Sequence, residues 1–448
     1  MPSPFAPNPS IPETQKFPVD NRSFGPRVGI AYDLTGKGRT VLRGGYSIYY
    51  GRIPNGIIAN ALQNTGLTDP GKALVALTLQ PTDPAAPIYP NILPAVPSNA
   101  SLSTTVTRIG SNFARPRVQD YTLGLQQQLS AGFMLSLSYV HTYGDHLEMV
   151  IDSNLPPPQF QRTYQLPNGT TFQLPFSVGP SANVNGSRPN PALGAVNTNV
   201  STGESWYNGL LVDVRRRMTR GVEINGALTW SKAENTAGND NGGGAATETA
   251  FNGGTPADQF NLRSGRATSA LDQRIRGVAS AIWQPLWKPL SGFRFGAVET
   301  AESGRPVAAF ITVGSIPFLG PDGKNYNGFG GIRGQGTGGD RNLVPTIPRN
   351  SIAGPANLKL DLRVARDLPV TENLKAEVLV EAFNVFNRSN YNGFNTTMLT
   401  ASATTVATPV SQPILLSPAA GYLQPNNDAS PPDGTNARRL QLALRFRF

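Results

Sequence analysis

The sequence predicts an all-β protein, an antiparallel up-and-down transmembrane β-barrel of which this chain forms about eleven strands. One observation is the alternation of apolar and polar residues with a period of two, because successive side chains of a strand point to opposite faces. A second is the regular alternation of short and long connections between these segments. The third is the segment that ends the chain, residues 438–448.

The last segment carries the clearest alternation. One parity is wholly apolar and consists of Leu440, Leu442, Leu444, Phe446 and Phe448. The other parity is mostly cationic and consists of Arg439, Gln441, Ala443, Arg445 and Arg447. Such a strand suits a barrel wall with its apolar positions toward lipid and its polar positions toward the lumen. The edge of a soluble sheet could carry the same pattern.

The same alternation predicts ten further strands, and their order fixes the connections. The predicted strands lie near 26–34, 39–50, 117–129, 132–142, 206–218, 221–232, 272–284, 292–301, 357–367, 373–387 and 438–448. Long connections of 51–116, 143–205, 233–271, 302–356 and 388–437 alternate with tight turns. Membrane barrels have short periplasmic turns and longer extracellular loops. The long loops are polar and rich in Gly, Asn, Thr and Pro, which predicts mobile extracellular surface without folded domains.

Composition excludes several other classes. No run of about 18 apolar residues occurs, which excludes transmembrane helices but leaves transmembrane strands possible. Gly 47 and Pro 40 make up about a fifth of the 448 residues, as is typical of a loop-rich β protein. The absence of cysteine excludes disulfides and thiolate metal sites. Although the net charge is +10, the arginines are scattered apart from Arg215-Arg216-Arg217, so nucleic acid is not a predicted partner.

Aromatic residues cluster near the ends of the predicted strands. This placement suits the interfacial girdles of a membrane barrel, although aromatic residues favour strands in general. The residues concerned are Tyr32, Tyr49, Tyr50, Tyr121, Tyr139, Trp206, Tyr207, Trp230 and Trp283.

Six segments along the chain are distinctive: 24–33 (FGPRVGIAYD), 40–46 (TVLRGGY), 227–232 (ALTWSK), 303–306 (SGRP), 348–355 (PRNSIAGP) and 381–388 (EAFNVFNR). Together they resemble the C-terminal half of a TonB-dependent outer-membrane receptor of the Oar-like kind. The terminal strand likewise resembles the sorting strand of bacterial outer-membrane barrels, which commonly ends in Phe.

The resemblance implies a barrel of about 22 strands with an N-terminal plug in its lumen and import driven by TonB in the inner membrane. No signal peptide, TonB-binding motif or plug is recognised in the chain. The expectation is therefore a fragment or a truncated gene, with an irregular lead-in over 1–25 and the barrel portion over 26–448.

Candidate chemical sites are few. His141 and His146 could be combined with Asp145 into a metal site, but their spacing favours histidines exposed at the rim. Glu299 and Glu302 have no accompanying nucleophile and are interpreted as solvated acids. The glycine-containing segment 36–40 is interpreted as a turn rather than a phosphate loop. The sequence thus predicts no enzyme, no cofactor and no metal ion.

The polar strand faces carry charges of both signs that are predicted to face the lumen. These residues are Asp213, Arg215, Arg217, Glu223, Lys359, Asp361, Arg363, Lys375, Glu377, Glu381, Arg445 and Arg447. Charges in register can pair across strands, and they could also contact a plug. A salt-bridged, hydrated wall is the simpler interpretation.

The predicted function is the barrel portion of a TonB-dependent receptor that imports a bulky substrate across the outer membrane of a Gram-negative cell. The predicted partners are outer-membrane lipid, the barrel-assembly machinery and TonB. A passive porin is the functional alternative. A soluble secreted β-sandwich or adhesin module is the alternative for the fold, and it requires a second sheet over the apolar positions.

Overall fold

A computed structural model describes residues 21, 23–64, 88, 90–91, 105–180, 183–236, 254–314, 317–336, 339–371, 374–401, 407–428 and 437–447. Its main feature is one antiparallel sheet of eleven strands in chain order. These strands are β1 Arg27–Asp33, β2 Thr40–Tyr50, β3 Arg117–Gln128, β4 Phe133–Asp152, β5 Val196–Thr219, β6 Val222–Asn235, β7 Ile275–Trp283, β8 Phe293–Glu302, β9 Asn357–Pro369, β10 Lys375–Phe383 and β11 Arg439–Arg447. All eleven predicted strands are confirmed.

The predicted bounds of two strands were wrong. β4 continues to Asp152 and β5 begins at Val196, so the loop predicted over 143–205 covers only 153–195. The added segments pair with each other across a register shift between Gly144 and Glu148. The added residues 197–205 of β5 (NTNVSTGES) contain few apolar residues. In β4, Leu147, Met149 and Ile151 do alternate, but 144–146 (GDH) separate them from the rest of the strand, so the alternation criterion did not extend either strand.

The turn between β5 and β6 shows why the short connections stay short. Arg220 and Gly221 have φ values of 49° and 77°, the positive region that two-residue hairpin turns of type I′ require. A Cβ atom on Gly221 would lie 2.1 Å from the carbonyl oxygen of Gln284. Glycine is therefore required here by both backbone conformation and space.

One face of the sheet, here called the apolar face, is apolar across all eleven strands. At one level the residues in register are Leu442, Val380, Val364, Phe295, Trp283 and Val222. Six residues further along β6, a second row in register consists of Leu228, Val212, Leu137, Leu125, Leu42 and Tyr32. Many of these side chains are exposed, Leu442 by 73%, Tyr32 by 64% and Leu228 by 45%. These exposures disagree with the sandwich alternative, which needed a second sheet over these positions.

The connections, mainly the long ones, hold further secondary structure. The helix α1 spans Asn55–Gln63, and short 3₁₀ helices span Ser130–Gly132, Val184–Ser187, Leu262–Gly265, Lys288–Leu290 and Gly339–Asn342. Short strands next to or within the first three long connections are Val106–Ile109, Phe160–Gln165, Thr171–Phe176, Val178–Pro180 and Ala267–Thr268. Those within 303–356 are Pro306–Val307, Phe310–Val313, Phe318–Leu319, Asn325–Gly328 and Ile352–Ala353. Those within 384–438 are Tyr391–Phe394, Thr397–Ala401, Thr408–Pro409, Ile414–Leu415, Ser417–Pro418 and Pro425–Asp428. No helix within these described ranges is long and apolar enough to cross a membrane.

Three of these connections fold together, and their described residues within 153–195, 303–356 and 384–438 are called the loop assembly. Strand Phe310–Val313 pairs in parallel with Thr397–Ala401, and Ile414–Leu415 pairs in parallel with Phe160–Gln165. A four-stranded sheet takes strands from all three connections. The prediction of mobile loops without folded structure was therefore wrong for these residues. Pairing between distant loops has no local sequence signal.

A hydrophobic core holds the loop assembly together. Its buried side chains are Tyr164, Leu174, Ala309, Ile311, Ile332, Val344, Leu399, Ala401, Ile414 and Leu416. They come from all three loops and lie apart from the apolar face. Burying a large apolar side chain stabilises by roughly 1.5–3 kcal/mol. Among the described residues, this is the largest buried cluster, so the core of the chain lies in the loops rather than in the main sheet.

Candidate functional surfaces: the polar face and the loop assembly

The face of the main sheet opposite the apolar face is called the polar face. Residues directly opposite in register share a face, and the register puts eleven of the twelve predicted charged positions on this one. Arg217 lies at the register shift near the end of β5. Arg445 lies opposite Glu377, Arg363 opposite Glu381, and Arg447 opposite Lys375. Further across the sheet, successive register partners on this face are Lys359, Thr300, Val278, Ala227 and Asp213. That this face lines a lumen stays a prediction.

The structure brings three of these residues, Arg363, Glu381 and Arg445, together around a fourth, the buried carboxylate of Glu377. The side chain of Glu377 is 1% exposed and contacts the guanidinium groups of Arg294, Arg363 and Arg445. The last two contacts are both 3.4 Å. Arg363 also lies 3.7 Å from Glu381, and Arg294 lies 3.1 Å from Asp367. A carboxylate that contacts three arginines ties β8, β9, β10 and β11 together on their polar side.

Other predicted charges do not join this network. Lys359 pairs with Asp361 at 3.1 Å, and Asp361 accepts a hydrogen bond of 2.8 Å from the backbone N–H of Asn384. Glu223 accepts a hydrogen bond from Asn225 at 3.2 Å. Asp213, Arg215 and Arg217 are exposed along β5. The sequence missed Arg294, because it identified charges only on strands with an obvious polar parity.

Aromatic rings mark both ends of the apolar face. Toward the loops, Tyr46 contacts Tyr121 at a centroid distance of 4.8 Å, and Tyr143 contacts Trp206 at 5.9 Å. Toward the short turns, Trp283 contacts Phe295 at 5.3 Å. Two such girdles are typical of a wall that crosses a bilayer.

The height between the two aromatic ends fits a membrane. Phe133 lies at the turn end of β4 and Tyr143 toward its loop end, some ten residues further along. At about 3.3 Å per residue and a tilt of about 40°, ten residues span a height of roughly 25 Å. Nine girdle residues were predicted, and the prediction is wrong for Tyr49 and Tyr207, because the register places these two on the polar face.

Several family-like segments meet where the wall joins the loop assembly. A Cβ atom on Gly304 would lie 1.7 Å from the carbonyl oxygen of Gly354, so segments 303–306 and 348–355 approach too closely for any side chain. Asn384 closes its own turn by exchanging hydrogen bonds with the backbone of Arg388 at 2.9 and 3.1 Å. These segments thus fix the path of the chain into and out of the loops.

A buried polar cluster, here called the loop clamp, joins β4 to three connections. It consists of Asp152, Arg188, Asp258, Gln259 and Gln335. Asp152 pairs with Arg188 at 2.7 Å, and both side chains are less than 8% exposed. Gln259 donates to the backbone carbonyl of Asp152 at 2.8 Å, and Gln335 donates to Asp258 at 3.1 Å. Sequence reasoning missed this cluster, because its members are distant in sequence and follow no period.

The two histidines do not form a metal site. His146 lies 2.7 Å from Asp145, which also pairs with Arg117, whereas His141 contacts Asn208 at 2.8 Å. Within the described ranges, no group of three or more His, Cys, Asp or Glu side chains could hold a metal ion.

The remaining candidate sites also resolve into structural roles. Glu302 pairs with Arg276 at 2.8 Å on the polar face, while the register puts Glu299 on the apolar face, so the two are not a carboxylate pair. Segment 34–39 is a turn, in which the carboxylate of Asp33 accepts hydrogen bonds from the backbone of Gly38 at 2.6 Å and Thr35 at 3.1 Å.

A sheet with one exposed apolar face, aromatic ends, a paired polar face and folded long loops defines the wall of a membrane β-barrel. The family model described as "outer membrane beta barrel domain" matches residues 4–413. The chain belongs to this family, which places it in the bacterial outer membrane. A comparison of the sequence with curated proteins found no match.

Solved structures of similar shape include outer-membrane receptors and transporters. The transporter YddB of Escherichia coli is 11% identical, with a TM-score of 0.47, and the alignment covers 94% of this chain and 40% of that one. FpvA of Pseudomonas aeruginosa bound to pyoverdines is 10% identical, with a TM-score of 0.40 and coverages of 94% and 32%. The ferric-catecholate import receptor Fiu of Escherichia coli is 12% identical, with a TM-score of 0.39, and the alignment covers 94% of this chain and 34% of that one. The chain spans two fifths or less of the length of these proteins.

Proposed function

We propose that this chain forms the barrel portion of a TonB-dependent outer-membrane receptor that imports a bulky substrate. The loop assembly carries the proposal. Three long loops share one core of buried side chains above the end of the wall. A pore that only admits small solutes needs no folded structure over its mouth, whereas a receptor must present a shaped surface to its ligand.

The polar face supports the same function. The Glu377 network and the Lys359–Asp361 pair put charges of both signs on one face. In the intact protein this face would surround the plug, and its paired charges could exchange partners with plug residues as the substrate passes. The Oar-like resemblance of the segments at the junction of wall and loops adds support, because those segments occur in the order of that family. TonB in the inner membrane would supply the energy.

The experiment that tests this proposal compares conduction with energised uptake in the whole gene product. In planar bilayers, a receptor occluded by a plug should give no steady conductance, whereas a passive porin should give stable, ohmic channels. In cells, uptake should disappear when TonB is deleted or the proton-motive force is collapsed. Steady conductance combined with uptake that needs neither would favour the porin. Candidate substrates for the uptake assay are metal chelates, oligosaccharides and peptides.

A further inference from the structure

Arg162 is a buried cation in the loop assembly. It lies in strand Phe160–Gln165 opposite Leu174, with Phe160 and Tyr164 on the same face of that strand. Its side chain is among the largest fully buried ones, and the residue is 1% exposed. It therefore lies between two apolar clusters, one containing Tyr164 and Leu174 and the other containing Phe176 and Phe318.

Within the described part of the chain, neither terminal nitrogen of the Arg162 guanidinium group has a hydrogen-bond partner. Nη1 and Nη2 are both buried and unsatisfied, and the ring of Phe318 covers the group at 4.7 Å from its centroid. The nearby hydroxyl of Tyr164 donates to the carbonyl oxygen of Ile332 at 2.7 Å. Burial lowers the pKa of Arg162, yet a guanidinium group stays protonated in proteins.

Three other arginines of the loop assembly differ from Arg162 because a terminal nitrogen of each has an oxygen partner. The buried Arg188 pairs with Asp152 at 2.7 Å, and the half-buried Arg333 lies 3.6 Å from Asp258. The buried Arg349 donates to the backbone carbonyl oxygens of Asn235 at 2.6 Å and Gly265 at 3.2 Å. Among the described residues, no carboxylate pairs with Arg162. An unpaired buried charge destabilises a fold, and this cost must be offset for the loop assembly to be stable.

We propose that Arg162 binds a small monovalent anion of the size of chloride inside the loop assembly. The two terminal nitrogens provide a fork of N–H donors, and Phe318 closes one side of the group. Because only 1% of the residue is exposed, a ligand would reach it only through local opening of the loops, which favours an ion as small as a halide over a large ligand. Arg162 and Phe318 belong to different loops, so the bound anion would stabilise the contact between them. This inference does not depend on the proposed transport function.

Amide hydrogen exchange of the full chain in detergent tests the proposal. Exchange is followed in 160–165 and 171–176 while methanesulfonate is replaced by chloride at constant ionic strength. Chloride should slow exchange in a saturable way, by about elevenfold when its concentration is ten times its Kd. Bromide should act similarly, and in crystals it should give an anomalous scattering peak beside Arg162.

Two variants separate this site from general salt effects. Arg162→Met keeps the length of the side chain without its charge, so it should abolish the chloride dependence and exchange more slowly than the parent in methanesulfonate. Arg188→Met removes a paired arginine, so it should exchange faster while keeping the chloride dependence. The proposal is overturned if chloride leaves the parent chain unchanged, as bridging water would, or if Arg162→Met still responds. Protection by formate or acetate without protection by halides would also overturn it. The titration of the parent chain decides the matter even if a variant does not fold.

Discussion

Arg445 on the last strand reaches across to Glu377 on β10, where its Nη1 lies 3.4 Å from a carboxylate oxygen whose side chain is 1% exposed. The same carboxylate contacts Arg294 and Arg363 on two other strands. One buried acid therefore fixes the polar side of four strands, and this includes the strand that ends the chain.

Replacing Glu377 by Gln should weaken this end of the sheet. The change removes the charge that three arginines share, and hydrogen bonds to charged groups are worth about 1.5–3 kcal/mol each. We expect a lower urea midpoint for loss of heat-modifiable migration in gels. Glu381→Gln is the matched control, because its one described ion pair, with Arg363, is 3.7 Å long and partly exposed. The control should change stability by about 0–1 kcal/mol. Equal midpoints for Glu377→Gln and the parent chain would contradict the role assigned to the network.

The apolar parity of the last strand is predicted to act as the assembly signal for the outer membrane. Phe446 is 50% exposed on the apolar face, and Phe448 lies outside the described residues. Replacing both by Ser in the whole gene product removes aromatic surface worth roughly 1.5–3 kcal/mol per buried side chain. We expect a large loss of inserted protein in outer-membrane fractions, measured by heat-modifiable migration. Arg447→Gln, at a register position of the polar face, should insert normally. Equal insertion of the double variant and Arg447→Gln would refute both the facing and the signal.

The Asp152–Arg188 pair should control the stability of the loop assembly. In Asp152→Asn the buried Arg188 loses its counter-charge, and breaking such a pair typically costs about 3–5 kcal/mol. Asp152 also accepts hydrogen bonds from the backbone of Val196 at 2.9 Å and Asn154 at 3.0 Å. We expect faster proteolysis within 153–195 while the wall stays folded. Lys324→Gln is the control, because the Lys324–Asp322 pair is long, at 3.8 Å, and exposed. The control should be cleaved like the parent chain, and similar cleavage of Asp152→Asn would argue against the clamp.

Glu148 should make the loop side of β4 sensitive to pH. Burial raises the pKa of this carboxyl from 4.5 to about 7, and Oε1 has no hydrogen-bond partner among the described residues. Between these two pH values the folded chain holds a proton that the unfolded chain has released, so folding is favoured at the lower pH. Stability of this region should therefore fall as the pH rises from about 4.5 to 7 and then level off. Hydrogen exchange of 147–151 measured between pH 5 and 8, corrected for its intrinsic pH dependence, should show this loss. In Glu148→Gln the dependence should be absent, and its persistence would assign the effect to another group.

The loop predictions failed for a physical reason. Tyr164 and Ile332 belong to one buried cluster and share a hydrogen bond of 2.7 Å, although they are 168 residues apart. The described strands of the loop assembly are only two to six residues long, so they give little periodic signal in the sequence. Pairing between such segments depends on the wall, which brings the loop ends to one side.

The residues of the candidate sites also divide into those that the sequence predicted and those that only the structure revealed. The sequence identified Glu377, Arg363 and Arg445 from strand parity, because a face is a property of local alternation. It could not identify Arg294 as their partner, and it could not foresee the clamp at Asp152 or the bare guanidinium of Arg162. These contacts depend on register and on loop packing, which join residues from different connections.

By itself, the sequence determined the eleven strands of the main sheet, their order, the two faces and the alternation of short turns with long loops. It could do so because the period of two and the turn chemistry act over a few neighbouring residues. Only the tertiary structure decided how far β4 and β5 extend, which charges meet and that the long loops fold together. Those features arise from contacts between residues far apart in the chain. Such contacts can form and stabilise the fold only once the strands are in register.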